Sequence, residues 1–316
     1  MAKTDIIEGK LVVMTGGSGF LGSRIAQALL ERGARLRIAS RNPERAFTLK
    51  PLADLGQLQF ARCDIRNERD VAAVMQGADL VINLVGGFKG DLVELIGEGA
   101  GNVARAAKDA GAAAMVHISA IGADAESDAE YARAKALSEN EVLAAFPKAS
   151  IIRPSMLFGD DDQFINMLAG LISTFPALPV FAPQSPLQML WVDDAADAVI
   201  AALANPAKHG GKIFEIGGPE AITMLDLHRR IAKAQGRDPL LIETPDFASA
   251  IFAALPLTPM GRDQWILLKA GNVPSGDYPG LKQLGIEPKP LGLFLDRWMV
   301  QYRKYGRFNS EAKTSH

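Results

Sequence analysis

Met14-Thr15-Gly16-Gly17-Ser18-Gly19-Phe20-Leu21-Gly22 stands where a short apolar run, Leu11–Thr15, gives way to a helical pattern over Phe20–Arg32. The spacing gives each glycine a task. Gly16 permits a tight turn out of the strand, Gly19 lets the backbone approach a ligand closely, and Gly22 lets the helix pack against the strand. A helix that starts there presents unpaired N–H groups and the positive end of its dipole, which suits a pyrophosphate.

Outward from this turn, short apolar runs alternate with longer helical patterns, the mark of βαβ units on a parallel sheet. The expected strands are Leu11–Thr15, Arg35–Ser40, Leu58–Cys63, Leu80–Val85, Ala114–Ser119 and Ser150–Ile152. The expected crossover helices are Phe20–Arg32, Asn67–Met75, Leu92–Ala110 and Asp128–Ala145, with left-handed stops at Gly33, Gly77 and Gly111 and a cap at Asn67. The fold class is therefore α/β, a Rossmann-type doubly wound parallel sheet. After Pro154 the texture turns Pro-rich, aromatic and weakly charged. This predicts a nucleotide-binding domain over residues 1–157, to which 191–217 returns. Residues 158–190 and 218–309 are expected to form a smaller C-terminal substrate or partner lobe, and 310–316 a disordered tail.

The chain has 316 residues, 34 Lys plus Arg against 36 Asp plus Glu, and a net charge of −2, so it lacks the basic excess that drives nucleic-acid binding. A single cysteine, Cys63, excludes an intrachain disulfide, and no Cys/His spacing suggests a metal site. Gln163–Val192 carries no charged side chain, but Pro176, Pro179, Pro183 and Pro186 exclude a spanning helix. With no secretory or transit signal in its first residues, the chain is expected in the cytoplasm, with peripheral contact at the inner face of the inner membrane.

The end of the second strand is where an acidic residue would bond a ribose 2′-hydroxyl; here the chain has Ser40-Arg41-Asn42-Pro43-Glu44-Arg45. Arg41 offers a guanidinium fork for a 2′-phosphate and Arg45 supports it, so NADP(H) is favoured over NAD(H). Asp64, followed by Ile65, stands to bond an adenine amino group or to cap a helix. Asn83-Leu84-Val85-Gly86-Gly87 either brings backbone near the adenosine ribose or simply turns the chain.

Tyr131 and Lys135 lie four residues apart on one helix face. An ammonium there would lower a phenol pKa of about 10 and ready it for proton transfer beside a hydride. TGGSGFLG, this YxxxK pair, Arg153-Pro154-Ser155 with Phe158-Gly159, Trp191-Val192-Asp193-Asp194 and Ile216-Gly217-Gly218-Pro219 together resemble the extended and atypical short-chain dehydrogenase/reductases. Within them, the stretches Tyr131–Pro147 and Ile152–Asn166 resemble the branch of the NADPH-binding accessory subunit of respiratory complex I, which includes relatives associated with ubiquinone biosynthesis.

The resemblance implies a catalytic set of Ser119, Tyr131 and Lys135. It also implies dinucleotide contacts from Thr15, Phe20, Leu21, Pro154 and Ser155 beside those above. Should the reactive hydroxyl position fall at Ala120, the set is incomplete. Two readings stay open: a holder of NADPH with little or no turnover, partnered by complex I subunits or quinone-biosynthesis enzymes, and an active NADP-dependent oxidoreductase or epimerase on an apolar or quinone-like molecule.

The uncharged stretches Gln163–Val192 and Phe247–Gly261 are expected to form the core of the smaller lobe, or else to meet an isoprenoid-like substrate, a membrane or a protein. Arg297–Phe308, four cations among aromatics, is expected as a final helix packed on the domain, with a membrane-interface helix as the alternative.

Overall fold

The computed structural model describes residues 6–245 and 261–304. The apolar stretch 247–260, residues 305–308 of the aromatic and cationic segment, and the tail 310–316 lie outside the described residues. Among the described residues the chain divides into two compact units. The first holds residues up to Pro154, Val192–Ile216 and Pro274–Glu287; the second holds Ser155–Trp191, Gly217–Val273 and residues from Pro288 onward. Residues Pro274–Glu287 were expected in the smaller lobe and belong instead with the first unit. Glu215 holds them there, accepting from Ser275 N and Oγ at 2.6 and 2.8 Å, while its own N–H donates to Pro279 O at 3.0 Å.

In the first unit β1 (Leu11–Thr15), β2 (Arg35–Ser40), β3 (Leu58–Arg62), β4 (Leu80–Asn83), β5 (Ala114–Ile118), β6 (Ser150–Pro154) and Ile213–Ile216 form one seven-stranded parallel sheet. Its order is Ile213–Ile216, β6, β5, β4, β1, β2, β3. Every residue of β1, β4 and β5 is buried, as expected of central strands covered on both faces. Strand order reverses between β1 and β4, which opens a crevice at their carboxyl ends.

Four helices, α1 (Phe20–Glu31), α2 (Glu68–Met75), α3 (Gly99–Asp109) and α4 (Glu130–Ala145), make the crossovers. Gly33, Gly77 and Gly111 close three of these crossovers at φ of 75°, 72° and 73°, and Asn67 Oδ1 caps α2 by accepting from Arg69 N and Asp70 N. The helix expected over Leu92–Ala110 differs at its start, where Val93–Glu98 is wound wider as a π-helix. A second difference is a run of 3-10 turns over Pro43–Leu52, where no element was expected.

The glycine turn is fixed by contacts. Gly16 has φ +75°, and a Cβ there would lie 2.9 Å from Val85 N; a Cβ on Gly22 would lie 2.6 Å from Gly17 O. Gly19 differs, since its Cβ would meet only Gly16 O, at 3.8 Å, and so its bare backbone faces open space.

In the second unit the uncharged stretch forms the helix Gln163–Thr174, started by Asp162 accepting from Ile165 N, and the short strands Ala177–Val180, Pro186–Leu187 and Leu190–Trp191. Ile165, Leu168, Ala169 and Ile172 are buried, while Met167 and Leu171 are exposed. The described part of the cationic segment runs through the helix Gly292–Trp298 and a 3-10 turn, Met299–Tyr302. Trp298 stacks with Trp191 and Phe294, Met299 is buried, and Tyr302 Oη donates to Asn166 Oδ1 at 2.8 Å. These residues pack on their own unit. No helix among the described residues is long and apolar enough to cross a membrane.

Gly22→Ala is expected to lower stability by roughly 1–3 kcal/mol, because backbone and not a flexible side chain must yield to the new methyl. Thermal or denaturant unfolding measures it, and an unchanged midpoint would contradict the close helix-on-strand packing.

Candidate dinucleotide and catalytic site

A buried chain of hydrogen bonds ties together the ends of β1, β4 and β5 and helix α4. Ser138 Oγ donates to Lys135 O at 2.7 Å, so it receives the Nε2–H of His117 at 2.9 Å. His117 Nδ1 then accepts from Asn83 Nδ2 at 3.1 Å, and Asn83 Oδ1 accepts from Thr15 Oγ1 at 2.8 Å and Val85 N at 3.2 Å. Each of the four side chains is fully buried. The network assigns His117 as the neutral Nε2–H tautomer, since an imidazolium would turn an N–H against the Asn83 amide. Burial, and secondly the Lys135 ammonium, hold its pKa well below 6.5.

On the phosphate side, α1 begins at Gly19 without a side-chain cap and without an acid in its first turn, which leaves its N–H groups to a ligand. Thr15, Gly16, Phe20, Leu21 and Gly22 all belong to this turn, and Leu84 and Val85 lie directly against Gly16. At the end of β2, Arg41 and Arg45 are exposed, and their side chains make no hydrogen bond or ion pair among the described residues. Beside them Ser40 Oγ is buried with no partner among the described residues, an orphan that an incoming polar group would satisfy. The open cradle at Gly19, the orphan hydroxyl and the two guanidinia fit a nicotinamide dinucleotide.

Asp64, expected at an adenine amino group or as a cap, is paired with its neighbour, Arg66. Arg66 Nε and Nη2 donate to its two oxygens at 3.0 and 2.5 Å. The Arg66 side chain holds the carboxyl below its ordinary pKa, with a smaller contribution from Arg41, while Asn67 performs the capping. Ile65, next in the chain, is buried.

On the catalytic side, Lys135 is buried and donates from Nζ to Ile118 O at 2.8 Å; a Cβ on Gly86 would lie 3.6 Å from that Nζ. Its Nζ stands 5.8 Å from the Tyr131 ring centroid. Phe88 stacks on Tyr131 with centroids 4.4 Å apart and planes inclined by 22°. Burial pushes Lys135 down to about 8 and the Tyr131 phenol up to about 12. The sequence predicts a phenol drawn down by its lysine; in the folded chain burial wins and the direction is reversed.

Ser119 N–H donates to Ile152 O at 2.7 Å, and Ser119 Oγ donates to Glu139. Glu139 also takes Arg153 in a two-pronged fork, both bonds 2.7 Å. Ser119, Tyr131, Lys135 and Gly86 thus gather at the carboxyl ends of β4 and β5. Pro154 ends β6 and accepts from Ile121 N at 3.2 Å; Ser155 opens the second unit and donates from Oγ to Gln188 O at 2.7 Å. Phe88 and Glu139 were not anticipated. For Glu139 a signal existed, since it is the acid one turn beyond Lys135 on the same helix face.

A parallel sheet carrying this turn at its switch point and a Tyr/Lys pair on α4 defines a nicotinamide-dinucleotide-binding α/β protein. Residues 12–217 match the NAD dependent epimerase/dehydratase family, and the chain belongs to that family. It is 30% identical over 321 residues to "NADH dehydrogenase [ubiquinone] 1 alpha subcomplex subunit 9, mitochondrial" of Rattus norvegicus, covering 97% of this chain and 84% of that protein. It is also 30% identical over 241 residues to the ceramide reductase of Caulobacter vibrioides, covering 75% and 74%. Its fold matches that of UDP-glucose 4-epimerase of Thermus thermophilus in complex with NAD, with a TM-score of 0.69 at 19% identity over 93% of this chain and 99% of that one.

His117 predicts an acid limb to stability. Its native pKa lies below the unfolded value of about 6.5, so the unfolded chain takes up a proton that the native state refuses. Its contribution is complete above about 6.5 and is lost as pH falls below it, by roughly 1.4 kcal/mol per pH unit. Thermal unfolding between about pH 7.5 and 5.5 reads this slope, and a flat midpoint would contradict a neutral His117.

Proposed function

We propose that the chain holds NADP(H) with little or no turnover and serves a respiratory complex I-like or quinone-handling assembly as a peripheral partner at a membrane. The observation that carries this reading is the placement of the phenol: Phe88 stacks on Tyr131 with ring centroids 4.4 Å apart, and burial raises the phenol's pKa instead of lowering it toward neutrality. Lys135, which would activate it, gives a hydrogen bond to Ile118 O. Resemblance along almost the whole chain to the complex I subunit supports the choice of partner.

For the cofactor, Gly16, Gly19 and Gly22 with the start of α1 would seat the pyrophosphate. Ser40, Arg41 and Arg45 would receive a 2′-phosphate, Leu84–Gly86 would line the ribose side, and Lys135 would reach the nicotinamide ribose. When bound, the dinucleotide supplies hydride chemistry. The alternative is an active NADP-dependent oxidoreductase on an apolar or quinone-like molecule, with Tyr131 as acid and base. It is favoured by the intact spacing of Tyr131 and Lys135 and by resemblance to a ceramide reductase.

Fluorescence titration should show NADPH binding more tightly than NADH. Arg41→Ala should weaken NADPH by about 10- to 100-fold, the worth of a charged hydrogen bond, and leave NADH unchanged. Equal affinities in the unmodified chain would remove the NADP(H) assignment. Tyr131→Phe should keep NADPH affinity. If it instead abolished a measurable NADPH-dependent activity of the chain, the oxidoreductase reading would replace the holding role.

A further inference from the structure

Glu139 lies one helical turn beyond Lys135 and two beyond Tyr131, on the same face of α4. Its side chain is 5% exposed and takes three hydrogen bonds: Arg153 Nε on Oε1, Arg153 Nη2 on Oε2, and the Ser119 hydroxyl on Oε1. A carboxylate gripped by a guanidinium fork offers Ser119 only lone pairs. A serine hydroxyl has one proton, and here Glu139 holds it.

The arrangement is braced from behind. Arg153 Nη1 donates to Glu215 Oε1 at 3.2 Å, Glu215 Oε2 accepts from Ser275, and the Tyr278 ring lies 4.8 Å from the Arg153 guanidinium. Glu139 cannot turn from Ser119 without leaving a buried arginine short of its partner, which is costly in a low-dielectric interior.

We propose that Glu139 sets the hydrogen-bond polarity of this site: by holding the Ser119 proton it makes Ser119 an acceptor, so the site takes a ligand that donates a hydroxyl and rejects one that brings a bare carbonyl oxygen. The inference rests on the reading of Ser119 as the group beside the ligand's reacting oxygen, and it deepens the holding role. Glu139 is a positioning residue that acts through Ser119. A carbonyl oxygen facing Ser119 meets lone pairs and is left unpaired, whereas an alcohol hydroxyl is satisfied. The same polarity withholds the donor that a developing oxyanion needs, so carbonyl reduction is slow even with reductant present.

Two measurements on the full chain saturated with NADPH test this. In the unmodified chain, cyclohexanol should raise the thermal midpoint more than cyclohexanone at equal concentration; an equal or reversed response overturns the proposal. Glu139→Ala removes the acceptor, which returns the serine proton to the site and leaves Arg153 with Glu215. This variant should reverse the alcohol preference. It should also raise NADPH oxidation by 9,10-phenanthrenequinone about tenfold, the effect of one added hydrogen bond. That reaction passes two electrons and a proton from NADPH, with a second proton, to the quinone and yields the hydroquinone and NADP⁺.

Adding Ser119→Ala to Glu139→Ala should abolish the gain. No gain in a variant that still binds NADPH, or a gain that survives Ser119→Ala, overturns the proposal. Should Glu139→Ala not fold, the alcohol and ketone pair decides alone. Rapid quinone reduction by the unmodified chain would defeat the holding role, and it is read separately from the ratio of variant to unmodified rates.

Discussion

The hydrogen-bond chain from Thr15 through Asn83 and His117 to Ser138 is the constraint on which the site depends. Three strands that carry candidate site residues end at different points of the sequence, and each end must be held at one level. Four buried polar side chains do this, and the donors and acceptors close only with His117 neutral. Ser138 completes the chain by bonding the carbonyl of Lys135, so the register of α4 is tied to the centre of the sheet. If the network were broken at any member, a buried polar group would be left unpaired and the turn of α4 bearing Tyr131 and Lys135 would lose its anchor.

From this anchor the rest of the site follows by close approach. Gly16 permits Val85 to lie against the glycine turn, and Gly86 leaves room for the Lys135 ammonium. The buried lysine finds a carbonyl at the end of β5, and the next residue, Ser119, meets Glu139. Two cations, Lys135 and Arg153, thus share a small region with the carboxyl groups of Glu139 and Glu215. Such a region tolerates burial because each charge has a partner or a carbonyl within reach.

Much of the sheet was legible. Leu11–Thr15 and Arg35–Ser40 match the structure residue for residue, since an apolar run bounded by glycine or charge leaves little freedom in where a central strand begins. The stops at Gly33, Gly77 and Gly111 and the cap at Asn67 are local chemistry and were readable for that reason. What escaped is tertiary. Arg153 meets Glu139 across 14 residues and Glu215 across 62, and no short-range spacing announces either pair. The direction of the Tyr131 shift escaped because spacing shows a nearby ammonium, whereas the sign depends on burial beneath a ring, Phe88, from another loop. The pairing of Asp64 with Arg66 was not readable either, because only the folded turn brings the guanidinium back onto the carboxylate.

The first unit is assembled from three separate stretches of chain, and the order of synthesis gives that division a meaning. The strands carrying Thr15, Asn83 and His117 leave the ribosome early, together with the helix that bears Tyr131 and Lys135. Glu215 arrives later with the last strand of the sheet, and Ser275, which holds its second oxygen, follows 60 residues after that. A nascent chain can therefore build the glycine turn well before it can complete the clamp behind Arg153. Until residue 215 has emerged, that guanidinium has Glu139 as its partner and lacks the second carboxylate, and until Ser275 follows, that carboxylate lacks its brace, so the serine end of the site acquires its final pairing late.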